Sequence, residues 1–106
     1  MSYKWPSKDP SETLDYSIDW SRLLRTGESI TTAIWYANDA DGVKQQLMPP
    51  LSVNSLTAAD ASGNSNITTI TLSGGIVNYT YKLFCNVSTT TGAVLERSIT
   101  LAIKER

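Results

Sequence analysis

The chain has 106 residues, 41% of them hydrophobic, which is the size and apolar content of one globular domain with a single core. A net charge of −1 with a charged fraction of 18% excludes the strong positive field expected of a nucleic-acid-binding protein. Histidine is absent, which removes the most common general base and metal ligand, and the single cysteine excludes an internal disulfide.

The sequence carries no membrane or secretion signal. No apolar run approaches the ~20 residues of a membrane-spanning helix, and the opening Met-Ser-Tyr-Lys-Trp-Pro has no hydrophobic signal region. We therefore expect a protein that is not secreted and does not bind a membrane. Serine and threonine supply 26 of the 106 residues; threonine favours strands and serine favours turns, as in an all-β protein.

Residues 1–13 form a polar N-terminal segment that contains Pro6 and Pro10. Proline has no backbone donor, so the segment is predicted to be an extended arm and not a strand of a sheet. Trp5 is a large aromatic residue in these polar surroundings, and it must either fold back onto the domain or dock on a partner. We expect Tyr3, Trp5 and Pro6 to bind a partner, with the folded domain covering residues 14–106.

Alternation of apolar and polar residues begins at Leu14 and predicts a half-buried strand. The residues on its apolar face are Leu14, Tyr16, Ile18 and Trp20. Residues 21–25 fit a short helical turn. The β-branched and aromatic residues over 28–37, including Trp35, then predict a second strand.

Turn-forming residues over 38–42 are followed by a polar segment that ends at Pro49-Pro50. Beyond it the sequence predicts a strand over 51–57 and an exposed loop of small polar residues over 58–66. A threonine-rich strand over 67–73 is closed by Gly74-Gly75.

The longest unbroken alternation covers residues 77–87, and a further strand is predicted over 94–103. The loop 88–93, with Thr91-Gly92 as its turn, would pair these two strands as a hairpin. The pattern predicts an all-β, immunoglobulin-like sandwich of about six to eight antiparallel strands with an extended N-terminal arm. Trp20 and Trp35 are expected in its core, and the Tyr81 hydroxyl is expected to close a corner.

Carboxylate pairs and metal motifs are weak in this sequence. Asp15 and Asp19 share a strand face, but their Cα atoms would lie roughly 13 Å apart. A hydrolytic carboxylate pair needs roughly 5–9.5 Å. The loop Asp39-Ala40-Asp41-Gly42 resembles part of a calcium loop, but the positions that need carboxylates fall on Ala37 and Met48.

Other reactive groups also have simple structural interpretations. Cys85 is in phase with Leu83 and Val87, so a buried, inert thiol is expected. Glycosylation sequons begin at Asn66, Asn78 and Asn86, but without a signal peptide we do not expect them to be used. The sequence therefore predicts no catalytic residue, no cofactor, no metal and no nucleic-acid partner.

Two stretches resemble a family of small proteins from tailed phages. Residues 8–20 read Lys-Asp-Pro, then Leu-Asp-Tyr, then Asp-Trp, as does the opening of those proteins. Residues 72–98 are similar to their Leu-Ser-Gly-Gly, Tyr, Thr-Thr-Ser-x-Gly, Arg-Ser pattern, with Gly74-Gly75, Tyr81 and Gly92 at matching spacing. Ser29-Ile30 and Trp35 lie between the two stretches, whereas residues 37–61 show no resemblance.

The resemblance implies a virion protein of the fibre–tail or head–tail adaptor type, with an immunoglobulin-like fold and no enzymatic activity. Such a protein would be made in the bacterial host cytoplasm and would join tail or portal proteins to fibres or spikes, as a homo-oligomer or multi-copy ring. The N-terminal arm would enter a neighbour. The loops at 39–50, with Asp39 and Asp41, and at 58–66 would contact a second partner. A capsid decoration protein or a carbohydrate-binding module on the same fold is the alternative.

Overall fold

The computed structural model of the protein describes residues 2–105, with side chains from Lys4 onward. Within this range the chain forms nine strands, and no helix in it is long and apolar enough to cross a membrane. The strands are β1 (Ser2–Lys4), β2 (Leu14–Asp19), β3 (Ile30–Asn38), β4 (Lys44–Gln46), β5 (Ser52–Val53), β6 (Leu56–Gly63), β7 (Ile67–Gly74), β8 (Thr80–Thr89) and β9 (Val94–Ala102).

The strands form two sheets that pack face to face. One sheet has the order β1-β9-β8-β3-β4, and the other has the order β2-β7-β6-β5. Every pairing is antiparallel except that of β1 with β9, which is parallel. The predicted all-β, immunoglobulin-like sandwich is thus confirmed. Its long strands are the six of six or more residues, and the short β1, β4 and β5 complete the set.

The core lies between the inner faces of the two sheets, where alternate residues of each strand are buried. Trp20 and Trp35 are both in this core, as predicted, with 0% and 4% of their surface exposed. The Trp20 indole Nε1 donates to Thr68 Oγ1 at 2.9 Å, so its polar atom has a partner inside the core. The same threonine hydroxyl lies 3.6 Å from Cys85 Sγ on the facing sheet.

The middle of the chain departs from the prediction. Residues 51–57 do not form one strand, because Asn54 and Ser55 adopt positive φ angles of 49° and 71° and turn the chain between β5 and β6. Residues 58–63 were predicted as loop but belong to β6, where Ala59 to Gly63 are exposed. Small, exposed residues give no apolar alternation, so alternation of apolar and polar residues does not predict this part of the strand.

The strand predicted to begin at residue 77 begins at Thr80. Asn78 has a positive φ of 65° and donates its N–H to the Ile103 carbonyl at 2.7 Å, which places Val77 and Tyr79 in a turn. The predicted hairpin between β8 and β9 is confirmed, with Gly92 donating to the Thr89 carbonyl at 3.0 Å.

The N-terminal segment is extended, but the prediction that it would contribute no strand is wrong for β1. Ser2 pairs with Ser98 and Lys4 with Thr100 in parallel register. Trp5 then donates its N–H to the Thr100 carbonyl at 3.0 Å. Pro6 follows the paired stretch, so its missing donor removes no hydrogen bond from the ladder.

Candidate interaction surfaces

Trp5 packs against the chain's own domain. Its ring stacks on Tyr16 of β2, with centroids 4.6 Å apart and an interplanar angle of 19°, and lies 6.0 Å from the ring of Trp35. Only 8% of the Trp5 surface is exposed, whereas Pro6 beside it is exposed. The Tyr3 side chain lies outside the described residues. Of the N-terminal residues predicted to bind a partner, Pro6 is therefore the one whose side chain the structure presents to solvent.

Lys8 is completely buried, which is rare for a lysine. Its ammonium donates to the carbonyls of Asp9 at 2.9 Å and Gly74 at 2.7 Å. Burial lowers the pKa of Lys8, and the nearby carboxylates of Glu12 and Asp9 oppose that shift. The Lys8 N–H also donates to the carbonyl of Ala102 at 3.0 Å. Lys8 thus fastens the N-terminal segment to both sheets, because Gly74 ends β7 and Ala102 ends β9.

The Tyr81 hydroxyl closes the corner next to Lys8, as the sequence predicted. It donates to the Asn54 carbonyl at 2.6 Å and accepts the Ile76 N–H at 3.0 Å. Burial raises the pKa of Tyr81, so the hydroxyl keeps its proton for this bond. Gly74 is required here: it has φ of +72°, and a Cβ on it would lie 2.7 Å from the Ser55 carbonyl oxygen.

Asp39 is occupied within the turn between β3 and β4. Its Oδ1 accepts the backbone N–H groups of Asp41 and Val43, each at 2.9 Å, and its Oδ2 accepts from Gln45 Nε2 at 3.1 Å. The hydrogen bond from Val43 is the main reason that the pKa of Asp39 is lowered. The loop is therefore a turn held by Asp39, whereas the side chain of Asp41 is exposed to solvent.

The register brings the two predicted partner-binding regions to one end of the five-stranded sheet. Lys4 pairs with Thr100, which pairs with Lys82, and the next residue, Leu83, pairs with Ala37 just before the Asp39 turn. Pro6 follows β1 and Asp41 follows β3, so both lie at this end of the sheet. The strands β1 and β3 are three strand spacings, or about 14 Å, apart.

The loop expected at residues 58–66 is not at this end. Its remaining turn, residues 64–66, lies at the opposite end of the sandwich, where Ile30 donates to the Ser65 carbonyl at 2.9 Å. The structure therefore separates the two loops that were expected to contact one second partner.

A cluster of hydroxyl groups around Glu28 marks this opposite end, and the sequence analysis missed it. Glu28 Oε2 accepts from Thr89 Oγ1 at 2.7 Å and from Thr91 Oγ1, while Oε1 accepts the Arg25 N–H at 2.9 Å. These bonds, led by that from Thr91, lower the pKa of Glu28 to about 2. Thr89 and Thr91 belong to the stretch that carried the resemblance, but the sequence gives no sign that Thr89 contacts Glu28, which lies 61 residues earlier.

The outer face of the five-stranded sheet is mixed in character. Lys44 forms an ion pair with Glu96, with Nζ and Oε2 3.1 Å apart, and its ammonium lies 4.3 Å from the centroid of the Phe84 ring. Val94 is 63% exposed and Ile34 is 38% exposed. Since the ion pair is well solvated, it contributes little to stability.

The described residues offer no reactive centre of the kinds considered for the sequence. Burial raises the pKa of the Cys85 thiol to about 12, which keeps it protonated and unreactive. Within residues 2–105 no group of three or more histidine, cysteine or acidic side chains is placed to hold a metal ion.

The chain is similar to a known family over nearly its whole length. A family model described as podophage GP4 fiber-tail adaptor protein gp77 matches residues 8–102. The matched range begins at Lys8 and includes the corner at Tyr81, whereas β1 and Trp5 precede it. No curated protein matches the chain.

Proposed function

The chain belongs to the podophage GP4 fiber-tail adaptor family, and from this membership we propose that it joins fibres to the tail in the phage virion. The match over residues 8–102 is the observation that carries the proposal. A sandwich with loops at two separate ends suits such a role, because an adaptor works by burying surface against its partners.

The partners are other tail, portal or fibre proteins, and the protein acts in several copies without catalysing a reaction. One contact surface is the end that carries Pro6 and Asp41. Trp5 supports this surface from below, since its stacking on Tyr16 fixes the direction in which Pro6 leaves β1. Residues 1–13 thus act as a contact segment laid on the domain of residues 14–106.

A carbohydrate-binding module is less well supported. Flat aromatic side chains usually form the platform for a sugar ring, yet all three tryptophans are buried. The half-buried rings of Tyr36 and Phe84 on the outer sheet face lie beneath the Lys44 ammonium, at 5.1 and 4.3 Å from their centroids. No exposed aromatic platform exists among the side chains from Lys4 to Glu105.

Particle morphology tests the adaptor role directly. A phage with an early stop codon in this gene, grown in a non-suppressing host, should give tailed particles without fibres in negative-stain images. Supplying the protein from a plasmid should restore the fibres. Particles that carry a normal set of fibres in the absence of the protein would contradict the proposal.

A further inference from the structure

Among the described strands, β2 has a neighbour on one side only. It pairs with β7 in continuous register from Leu14 opposite Leu72 to Asp19 opposite Ile67, and it forms the edge of the four-stranded sheet. The backbone N–H of Trp20 donates to the Asn66 carbonyl at 2.8 Å, so the backbone of Trp20 is directed toward the β7 side.

The phase of this ladder decides which backbone groups of β2 are free. The Ile67 carbonyl accepts the Asn64 N–H at 2.9 Å, and the Ile67 N–H donates to Asn64 Oδ1. Both backbone groups of Ile67 therefore point away from β2. Because antiparallel pairs alternate, Ile18, Tyr16 and Leu14 bond to β7. The N–H and carbonyl groups of Asp15, Ser17 and Asp19 consequently point to the open side.

β2 is the longest edge strand, and it differs from the stretches of β3 and β6 that the short β4 and β5 leave uncovered, because those stretches contain register shifts at residues 30–32 and 58–60. In the described part of the chain, β1 and β4 have three residues each and β5 has two. Pro6 follows β1 closely, and β4 carries Lys44. β2 has six residues, contains neither proline nor lysine, and shows no shift in register. Proteins usually block such an edge to prevent pairing with another chain.

An open groove runs along the first half of this edge. It has a volume of about 460 Å³ and is lined by Trp5, Pro6 and Ser7 on one side and by residues 14–17 on the other. The side chains of Asp15, Ser17 and Asp19 are all exposed. The free backbone groups and the open space therefore occur together.

The two carboxylates of β2, Asp15 and Asp19, determine which kind of strand can pair with this edge. In the antiparallel arrangement that would pair all three free residues of β2 with a second copy, Asp15 of each chain would lie opposite Asp19 of the other. Like charges directly opposite each other destabilise a strand pair. Asp15 accepts a hydrogen bond from Thr71 Oγ1 at 2.5 Å, and Asp19 accepts the Ser21 N–H at 2.9 Å. The bond from Ser21 is the main reason that the pKa of Asp19 is lowered. Arg22 is the nearby cation, and it acts on Asp19.

We propose that the free edge of β2 accepts an extended strand from a partner protein that carries lysine or arginine opposite Asp15 and Asp19. This inference rests on the adaptor role proposed above and names the chemistry of one partner. The incoming strand would extend the four-stranded sheet by backbone hydrogen bonds, and its basic residues, four positions apart, would provide specificity.

A seven-residue peptide, Thr-Lys-Val-Thr-Val-Lys-Thr, serves as the probe, with a control peptide that has glutamate in place of both lysines. In NMR titrations of the whole chain, the lysine peptide should shift and protect the amides of Asp15, Ser17 and Asp19. It should bind roughly tenfold more tightly than the glutamate peptide. Equal binding of the two peptides, or shifts located elsewhere, would overturn the proposal.

The double variant Asp15→Lys/Asp19→Lys should reverse the peptide preference. The single variant Asp15→Lys makes β2 complementary to itself, and it should dimerise in analytical ultracentrifugation while the wild type does not. Both substitutions are on exposed side chains, and circular dichroism checks that the fold is retained. A wild-type dimer through β2 would also overturn the proposal, because it would make a second copy the occupant.

The two proposals fail in different ways. If the stop-codon phage lacks fibres but a phage carrying Asp15→Lys/Asp19→Lys assembles them normally, the adaptor role stands and the β2 edge is rejected. If the peptides bind as expected but the stop-codon phage has normal fibres, the edge is a binding site and the adaptor role is rejected.

Discussion

Buried polar side chains hold the N-terminal segment and the corner beside it. Tyr81 is 1% exposed, and its hydroxyl is the common partner of Asn54 and Ile76. Loss of this hydroxyl would destabilise the fold, because the Asn54 carbonyl and the Ile76 N–H would both remain without a hydrogen bond. The corner is thus held by one oxygen atom that serves two separate loops.

Tyr81→Phe should lower the free energy of unfolding by about 1–2 kcal/mol, because it removes the hydroxyl and leaves the ring in place. Urea denaturation followed by tryptophan fluorescence measures the change. Tyr79→Phe is the matched control: the Tyr79 ring lies 4.6 Å from that of Tyr81, but its hydroxyl makes none of the described hydrogen bonds. Equal effects of the two variants would show that the corner does not depend on the Tyr81 oxygen.

At the level of elements, Glu28 joins the connection between β2 and β3 to the hairpin of β8 and β9. Its pKa is lowered in the folded chain from 4.5 to about 2, so the ionised form is favoured by folding. The stabilisation is therefore complete above a pH of about 4.5 and is lost as the pH falls toward about 2.

Glu28→Gln should consequently lower the melting temperature at pH 6, and the difference from the wild type should shrink between pH 4.5 and pH 2. Thermal melts followed by circular dichroism across this range give the comparison. The other carboxylates titrate in both proteins and cancel in the difference. A difference that stays constant with pH would contradict the part assigned to the Glu28 charge.

The elements that sequence patterns predicted well are those with a long apolar face. Alternation from Leu14 to Trp20 predicted β2, and the same signal predicted β8 and β9, whereas β7 was predicted from its threonine content and the closing Gly74-Gly75. The missed strands were short, as at Lys44–Gln46, or lined with small exposed residues, as in the second half of β6. The turn at Asn54-Ser55 depends on two positive φ angles in residues that are not glycine; asparagine tolerates this conformation, but serine rarely adopts it.

The candidate surfaces were harder to predict than the fold. Asp39 and Trp5 stand out in the sequence, but both are engaged by the chain itself. The free edge of β2 depends on which strand lies beside it and on the phase of the ladder, and these are properties of the folded sheet. Its acidic residues were identified from the sequence only as an exposed strand face.

At the scale of the whole molecule, the N-terminal segment completes the fold. Trp5 fills the space between β2 and β3, and Lys8 connects the segment to both sheets. Removal of residues 1–13 would therefore expose core residues as well as delete a contact segment. Point substitutions are the better way to separate stability from binding.

Trp5→Ala should cost about 3 kcal/mol of folding free energy, as expected for the loss of a buried tryptophan. Pro6→Ala, at the exposed neighbour, should change stability by less than about 0.5 kcal/mol while weakening fibre attachment. Urea midpoints and fibre counts per particle measure the two effects. If both variants leave stability unchanged, the segment does not complete the core in solution.

The parallel pairing of β1 with β9 also has a consequence during translation. Ser2 leaves the ribosome long before its partner Ser98. Until β9 emerges, β1 has no strand with which to pair, and Lys8 lacks the Ala102 carbonyl. Contacts between such distant positions form late and slow the folding of β proteins. Folding of the domain can therefore finish only after β9 has been synthesised, and a chain released before that point would leave the Trp5 indole exposed to quality-control proteases.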